Sequence, residues 1–299
     1  MTKLESFCNI VLNNWLYHRG FCAKCPARYG GPKRKTKWAN FPVFGIYYKE
    51  FNGKIMVILE EPGPTEDIPF EDIIASQKAT EKSHKLFMKR LRKVMGAIKS
   101  KNLSNNNNKK PTEYFYFAES NSIKEARYLL QHAGVNPDTV YYTNIIKCRN
   151  PLKPFEHCAQ YLISEIAVVN PQIILTFGSE AFYAMITYCY WKQTIDNTFK
   201  FTFQKPLKRI TNSDKLQITK YHSTLVTLTN NLVSCHWGIF LHPSNAARNI
   251  KTILEHTPEQ LQEFLPYVKT LNQNGQKNRK EIYDISVIKS IKKLLAYHK

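Results

Sequence analysis

Four short segments of the chain carry apolar residues at nearly every position. Lys54–Glu60 (KIMVILE) stops at Pro62-Gly63, and Val140–Asn144 (VYYTN) follows the turn that begins at Gly134. Gln172–Phe177 (QIILTF) stops at Gly178, and Trp237–Leu241 (WGIFL) stops at His242-Pro243. A run without polar alternation has both of its faces buried, as parallel strands covered by helices do. Between the runs, Ile123–His132 and Ser179–Tyr188 read as helices. The pattern predicts an α/β chain, a three-layer α/β/α sandwich around a mostly parallel four-stranded sheet. In sheets of this kind ligands meet the carboxyl ends of the strands. Glu60 and Glu61 follow the first run, Asn144 closes the second, and His242 follows the fourth.

The sandwich is expected to occupy residues 1–255, with inserted loops at about 99–112 and 190–235. The first loop contains the low-complexity stretch Ser104–Lys110 (SNNNNKK). The second includes Thr194–Asn231, which mixes strand-like pieces with Lys and Thr and matches no single element. Residues 256–299 are expected as a basic helical extension. There Ile285, Val287, Ile288, Ile291, Leu294 and Leu295 recur at helical spacing, with Lys289, Lys292 and Lys293 between them, as in an amphipathic helix docked by its apolar face.

Charge narrows the class of partner. Lys and Arg number 43 against 23 Asp and Glu, a formal net charge of +20 over 299 residues. Such an excess points to a polyanion, because each neutralised phosphate releases a counterion and tightens binding. No apolar run approaches the roughly 18 residues that would read as a membrane span. The N-terminal apolar stretch is broken by Asn13 and Asn14, unlike a secretory leader. The expectation is a cytoplasmic protein, nuclear if eukaryotic, acting as a monomer on a nucleic acid, which the charge favours over a ribosome or membrane surface, with no membrane partner.

Seven cysteines in a reducing compartment point to metal binding or plain burial rather than to disulfides. Cys22 and Cys25 form a C-x-x-C pair, and Cys148 and Cys158 lie ten positions apart. Four thiolates suit zinc or an iron–sulfur cluster, and spacing alone does not separate the two.

The order of the motifs is more specific than any one of them. Cys22-x-x-Cys25-Pro26 precedes the first strand, which ends in Glu60-Glu61-Pro62-Gly63, followed by Pro69-Phe70. Then come Thr143-Asn144-Ile-Ile-Lys147-Cys148-Arg149-Asn-Pro151, Cys158, Asn170-Pro171 and finally His242-Pro243-Ser244. Over roughly residues 21–250 this series resembles the iron–sulfur (family 4) branch of the uracil-DNA glycosylases. The resemblance implies that Cys22, Cys25, Cys148 and Cys158 ligate a [4Fe–4S] cluster, with zinc as the alternative. It implies that Phe70 stacks on an extruded base and Asn144 reads its pairing edge, with Gly63 and Ser244 in the same substrate-binding set. Glu60, Glu61 and His242 are the implied catalytic groups. Lys147, Arg149 and Arg248 are the implied contacts to the DNA backbone.

That set suits the chemistry of N-glycosidic cleavage. Positive charge builds on the deoxyribose and negative charge on the departing base, so a carboxylate favours the first and an imidazole the second. The base must also leave the duplex, which calls for a stacking aromatic and an amide. Two features depart from the family pattern. Glu61 stands where that branch has a small residue, and the Cys148–Cys158 interval is shorter than usual.

Three functions follow. The first is hydrolysis of uracil, or another flipped pyrimidine, from single- or double-stranded DNA to leave an abasic site. The second is the same reaction on a modified pyrimidine in phage DNA, which the altered Glu60-Glu61 pair favours. The third is non-catalytic nucleic-acid binding by the same fold. Basic residues at Lys33, Arg34, Lys35 and Lys37, and at Lys89, Arg90, Arg92 and Lys93, are equally suited to phosphate contacts or to a solvated helix face.

Overall fold

The computed structural model describes residues 3–17, 20–22, 38–39, 51–60, 68–69, 121–147, 155–185, 218, 222–229, 234–243 and 276–297. They belong to two compact units. The first comprises Met1–Asn52, Glu61–Asn121 and Asp138–Asn170, and the second Gly53–Glu60, Ser122–Pro137 and Pro171–Lys299.

The second unit holds a sheet of four strands. Its strands are β1 (Ile55–Leu59), β3 (Ile173–Phe177), β4 (Thr224–Thr229) and β5 (Ser234–Phe240), and the order within the unit is β1-β3-β5-β4. β1 and β5 both run parallel to the central β3, while β4 runs antiparallel to β5. The apolar runs explain the parallel core: all five residues of β1 and all five of β3 are buried. Burying each such side chain contributes roughly 1.5–3 kcal/mol before chain entropy is counted. β4 falls inside the stretch read as an inserted loop and is a strand of the sheet instead.

Helices cover both faces of this sheet. On one face lie Leu175, Phe177, Gly238 and Phe240, with the Phe177 and Phe240 rings stacked at 5.3 Å. The terminal helix α4 (Gln276–Ala296) packs against β5 and β4 on that face. Gly238 makes the close approach possible. A Cβ there would come within 2.9 Å of Phe240, 3.0 Å of Leu294 and 3.1 Å of Leu175. The opposite face carries Thr176 and Trp237, whose Nε1–H donates to Thr176 Oγ1 at 2.9 Å. Phe182, from the helical residues 179–185, stacks on Trp237 at 5.9 Å. Helix, sheet and helix thus form three layers, as the apolar pattern predicts.

The terminal segment is the amphipathic helix its sequence predicts, with Ile282, Tyr283, Val287, Ile291 and Leu294 buried. It falls within the second unit. α2 (Asn121–His132) closes in a Schellman pair, Val135 N–H to Leu130 O at 2.9 Å and Gly134 N–H to Gln131 O at 3.0 Å. Lys280 of α4 reaches Glu125 of α2 at 2.7 Å and lies over the Tyr128 ring.

The first unit contains α1 (Lys3–Tyr17), β2 (Tyr141–Asn144) and α3 (Phe155–Val169). Helix α1 packs on α3, and a short 3-10 turn at Gly20–Cys22 packs on both. α3 is followed by Asn170, which takes a left-handed conformation (φ 50°) that asparagine tolerates just past a helix terminus, and then by Pro171. The loop expected at 99–112 lies outside the described residues.

Candidate active site

The carboxyl ends of β1, β3 and β5 finish along one edge. Ile58 pairs with Thr176 and Phe177 with Phe240, so continuing the register sets Glu60 level with Gly178 and His242 just beyond. With neighbouring strands about 4.8 Å apart, the Glu60 and His242 backbones are separated by roughly 10 Å. Both side chains are half-buried.

His242 has a built seat. Gly178 has φ +102°, a conformation few side chains adopt, and its N–H donates to Phe240 O at 2.9 Å. A Cβ on Gly178 would lie 3.3 Å from His242 Cβ and 3.5 Å from Cδ2, so the ring rests against the bare glycine. Ser122 Oγ, from the start of α2, is 3.1 Å from His242 Nε2. Burial lowers the imidazole below its ordinary 6.5, and the Glu60 carboxylate partly opposes the shift. The ring is therefore neutral near pH 7. Either tautomer keeps one N–H as an uncharged donor.

Asn144 ends β2 in the first unit and is 4% exposed. Its carbonyl accepts from Lys147 Nζ at 2.7 Å. Lys147 also donates to Thr143 Oγ1 at 2.7 Å and is ion-paired with Glu165 of α3. Tyr141 and Thr143 complete the carboxylate's shell, donating to Glu165 Oε1 at 2.6 and 2.9 Å. This corrects the expectation of Lys147 as a DNA-backbone contact. Its side chain is 1% exposed, and its ammonium is committed to internal partners that compensate its burial. The basic sequence around it carried no sign of this, because Glu165 lies 18 positions away on a helix.

Two of the four candidate cysteine ligands share one neighbourhood in the first unit. Cys22 Sγ lies 3.2 Å from Tyr161 Oη, and Cys158, buried on α3, stands one helical turn before Tyr161. Burial first, then the Cys22 hydrogen bond and charge, raise the Tyr161 hydroxyl well above its ordinary 10, with Cys158 adding to the effect and Asn14 opposing it. Thiols from a 3-10 turn and from a helix thus both act on the Tyr161 hydroxyl, Cys22 by direct contact and Cys158 by its charge. Among the described residues no group of three or more His, Cys, Asp or Glu gathers as a metal site.

Cys25, Glu61, Gly63, Phe70, Cys148, Arg149, Ser244 and Arg248 lie outside the described residues, as do the basic runs at 33–37 and 89–93. Ser122 and Glu165 are site neighbours that the sequence reading does not single out. Ser122 opens a helix before an apolar-periodic segment, a position where serine is common and signals a cap rather than a partner for a distant histidine. Among the described residues no helix is long and apolar enough to cross a membrane.

Comparison with known proteins adds to this geometry. A stretch of 59 residues is 34% identical to the Type-4 uracil-DNA glycosylase of Thermotoga maritima, covering 18% of this chain and 31% of that relative, so less than a third of its length is matched. A family model described as the uracil DNA glycosylase superfamily matches residues 47–269, a span that contains Glu60, Asn144, Gly178 and His242. With three-quarters of the chain matched in this way, it belongs to the uracil-DNA glycosylase superfamily.

Proposed function

We propose that the protein is a DNA glycosylase that hydrolyses the N-glycosidic bond of a flipped-out pyrimidine, uracil by default, and leaves an abasic site. The observation that carries this reading is the pairing of Glu60 with a neutral, seated His242 at the ends of two strands flanking β3. In the reaction the C1′–N1 electron pair leaves with the base, and water oxygen bonds C1′. The acidic pair Glu60 and Glu61 supports the sugar cation and takes the water proton. His242 donates a hydrogen bond to the base oxygen on which negative charge develops. A neutral donor suits that role, since it stabilises the charge without needing a counter-ion of its own.

In this reading Asn144 would read the pairing edge and Phe70 would stack on the base, with Gly63 and Ser244 as further substrate-binding residues. The +20 net charge supports a phosphate-rich partner, with Arg149 and Arg248 as backbone contacts. Cys22, Cys25, Cys148 and Cys158 would hold a [4Fe–4S] cluster, and the shared surroundings of Cys22 and Cys158 support that set. When bound, the cluster supplies structural cross-linking and DNA positioning rather than electron transfer. Iron and acid-labile sulfide in equal amounts would support it, while stoichiometric zinc would replace it with the alternative metal.

A modified pyrimidine in foreign DNA is the second reading, favoured by Glu61 in place of a small residue. The test is base release. The protein is incubated with uracil-containing DNA and, separately, with DNA carrying hypermodified pyrimidines, and freed bases are identified by mass spectrometry. Free uracil supports the first reading, and release of the modified base alone supports the second. DNA binding without release from either would overturn both and favour a binding protein.

A further inference from the structure

Leu241, the residue before His242, has both of its backbone polar groups held by side chains. Its N–H donates to His222 Nδ1 at 3.2 Å, and its carbonyl accepts from Tyr283 Oη at 2.6 Å. The two holders are joined. Ser286 Oγ donates to Tyr283 O at 2.8 Å and lies 3.0 Å from His222 Nε2. The directions are determined by donor chemistry. A backbone N–H only donates, so His222 Nδ1 carries no proton. The single Ser286 hydroxyl proton is spent on Tyr283 O, so His222 Nε2–H donates to Ser286 Oγ. The bonds then run one way round a closed loop, from Leu241 to His222, Ser286, Tyr283 and back to Leu241.

Every member is buried. His222 is 2% exposed, Tyr283 1%, Ser286 3% and Leu241 3%. The His222 ring lies against Tyr283 at 5.3 Å, nearly parallel, and meets Phe240 edge-on at 6.2 Å. Ser223, just after His222, takes the left-handed conformation (φ 63°), and its N–H donates to Ile239 O at 2.8 Å. That bend lets the chain place His222 beneath Leu241 before β4 begins. A second route runs from the same helix: Lys280 of α4 binds Glu125 of α2, and α2 carries Ser122, the partner of His242 Nε2.

We infer that α4 is a positioning element for His242, with Tyr283 and Ser286 acting through His222 to hold Leu241 and hence the seat of the imidazole. α4 begins at Gln276, so Tyr283 and Ser286 lie beyond the 47–269 span of the family match while His222 lies within it. The inference rests on the proposed role of His242, but the brace itself can be tested without turnover.

The experiment compares Tyr283→Phe and Ser286→Ala with Leu294→Ala, which removes α4 packing on Gly238 without touching the loop of bonds. Each full-length variant is assayed for excision of uracil from DNA and for unfolding. Histidine-selective NMR follows the His242 ring, with signals assigned through a His242→Gln variant. Tyr283→Phe and Ser286→Ala are expected to lower kcat about tenfold with KM within about twofold, as small misplacements of a catalytic group do. They are also expected to shift the His242 ring signals, whereas Leu294→Ala destabilises and leaves kcat and those signals in place. Unchanged ring signals in both Tyr283→Phe and Ser286→Ala would overturn the inference, with or without measurable excision. So would equal displacement of the signals by Leu294→Ala.

Discussion

Asn144 and His242 both stand at strand ends, in different units, and they are anchored by opposite means. Asn144 is held through a buried ion pair, Lys147–Glu165, whose carboxylate takes two further hydroxyl donors. His242 is held through neutral groups: a glycine seat, a serine hydroxyl, and a closed loop of uncharged hydrogen bonds around Leu241. The difference follows from what each residue must present. An amide has no charge state to protect, so a strong fixed ion pair can tether its backbone. An imidazole does, and a buried ion at its anchor would set its protonation. The groups in direct contact with His242 and Leu241 are neutral, so burial acts first on the His242 charge and Glu60 opposes it.

The sharpest way to break the comparison is to remove one charge at the Asn144 end. Lys147→Met or Glu165→Leu alone should destabilise by about 3–5 kcal/mol, because each leaves a buried charge uncompensated. The double variant should recover much of that loss. Denaturant unfolding of the three variants checks it, and a double variant as unstable as the sum of the singles would contradict a paired anchor. At the neutral end the corresponding insult is steric. Gly238→Ala drives a methyl into Phe240, Leu294 and Leu175 and should cost about 1–3 kcal/mol by overpacking, read from the same unfolding curves.

Acid separates the two ends with a smaller effect per step. Burial pushes His222 down from 6.5 to about 3. The unfolded chain therefore binds a proton that the folded chain refuses between those values. Stability contributed by neutral His222 is intact above about 6.5 and falls as pH drops toward 3, by at most about 1.4 kcal/mol per pH unit from this group. The slope should shrink in His222→Gln. An unaltered acid limb would show that another group carries it.

Much of the framework was legible because burial on both faces writes itself as an unbroken apolar run. β1 and β3 are such strands, and their ends marked Glu60 and Gly178 directly. β4 was not legible. It is an antiparallel strand reading TLVTLT, and its alternation with threonine matches a surface loop as readily as a strand at the limit of the unit's sheet. α3 was missed for a different reason: FEHCAQYLISEIAVV ends in β-branched residues, and tertiary packing outweighs that local preference. The His242 brace was invisible because its partners are defined only in space. His222 lies 19 positions from Leu241 and 64 from Ser286, and Tyr283 lies 42 from Leu241. Lys147 shows the converse, since a lysine in a basic motif reads as a phosphate contact until its buried carboxylate is seen.

The most direct test of the central claim is single-turnover release of uracil from a DNA oligomer by the wild-type protein, His242→Gln and Glu60→Gln, measured from pH 5 to pH 9. The account predicts a loss of about 10²–10³-fold for His242→Gln, the scale of a missing donor to a developing anion. It also predicts a wild-type rate that is flat above neutrality and falls only as acid protonates His242, below its ordinary 6.5. Equal rates for wild type and His242→Gln, or a wild-type rate that rises as the imidazole becomes protonated, would contradict it.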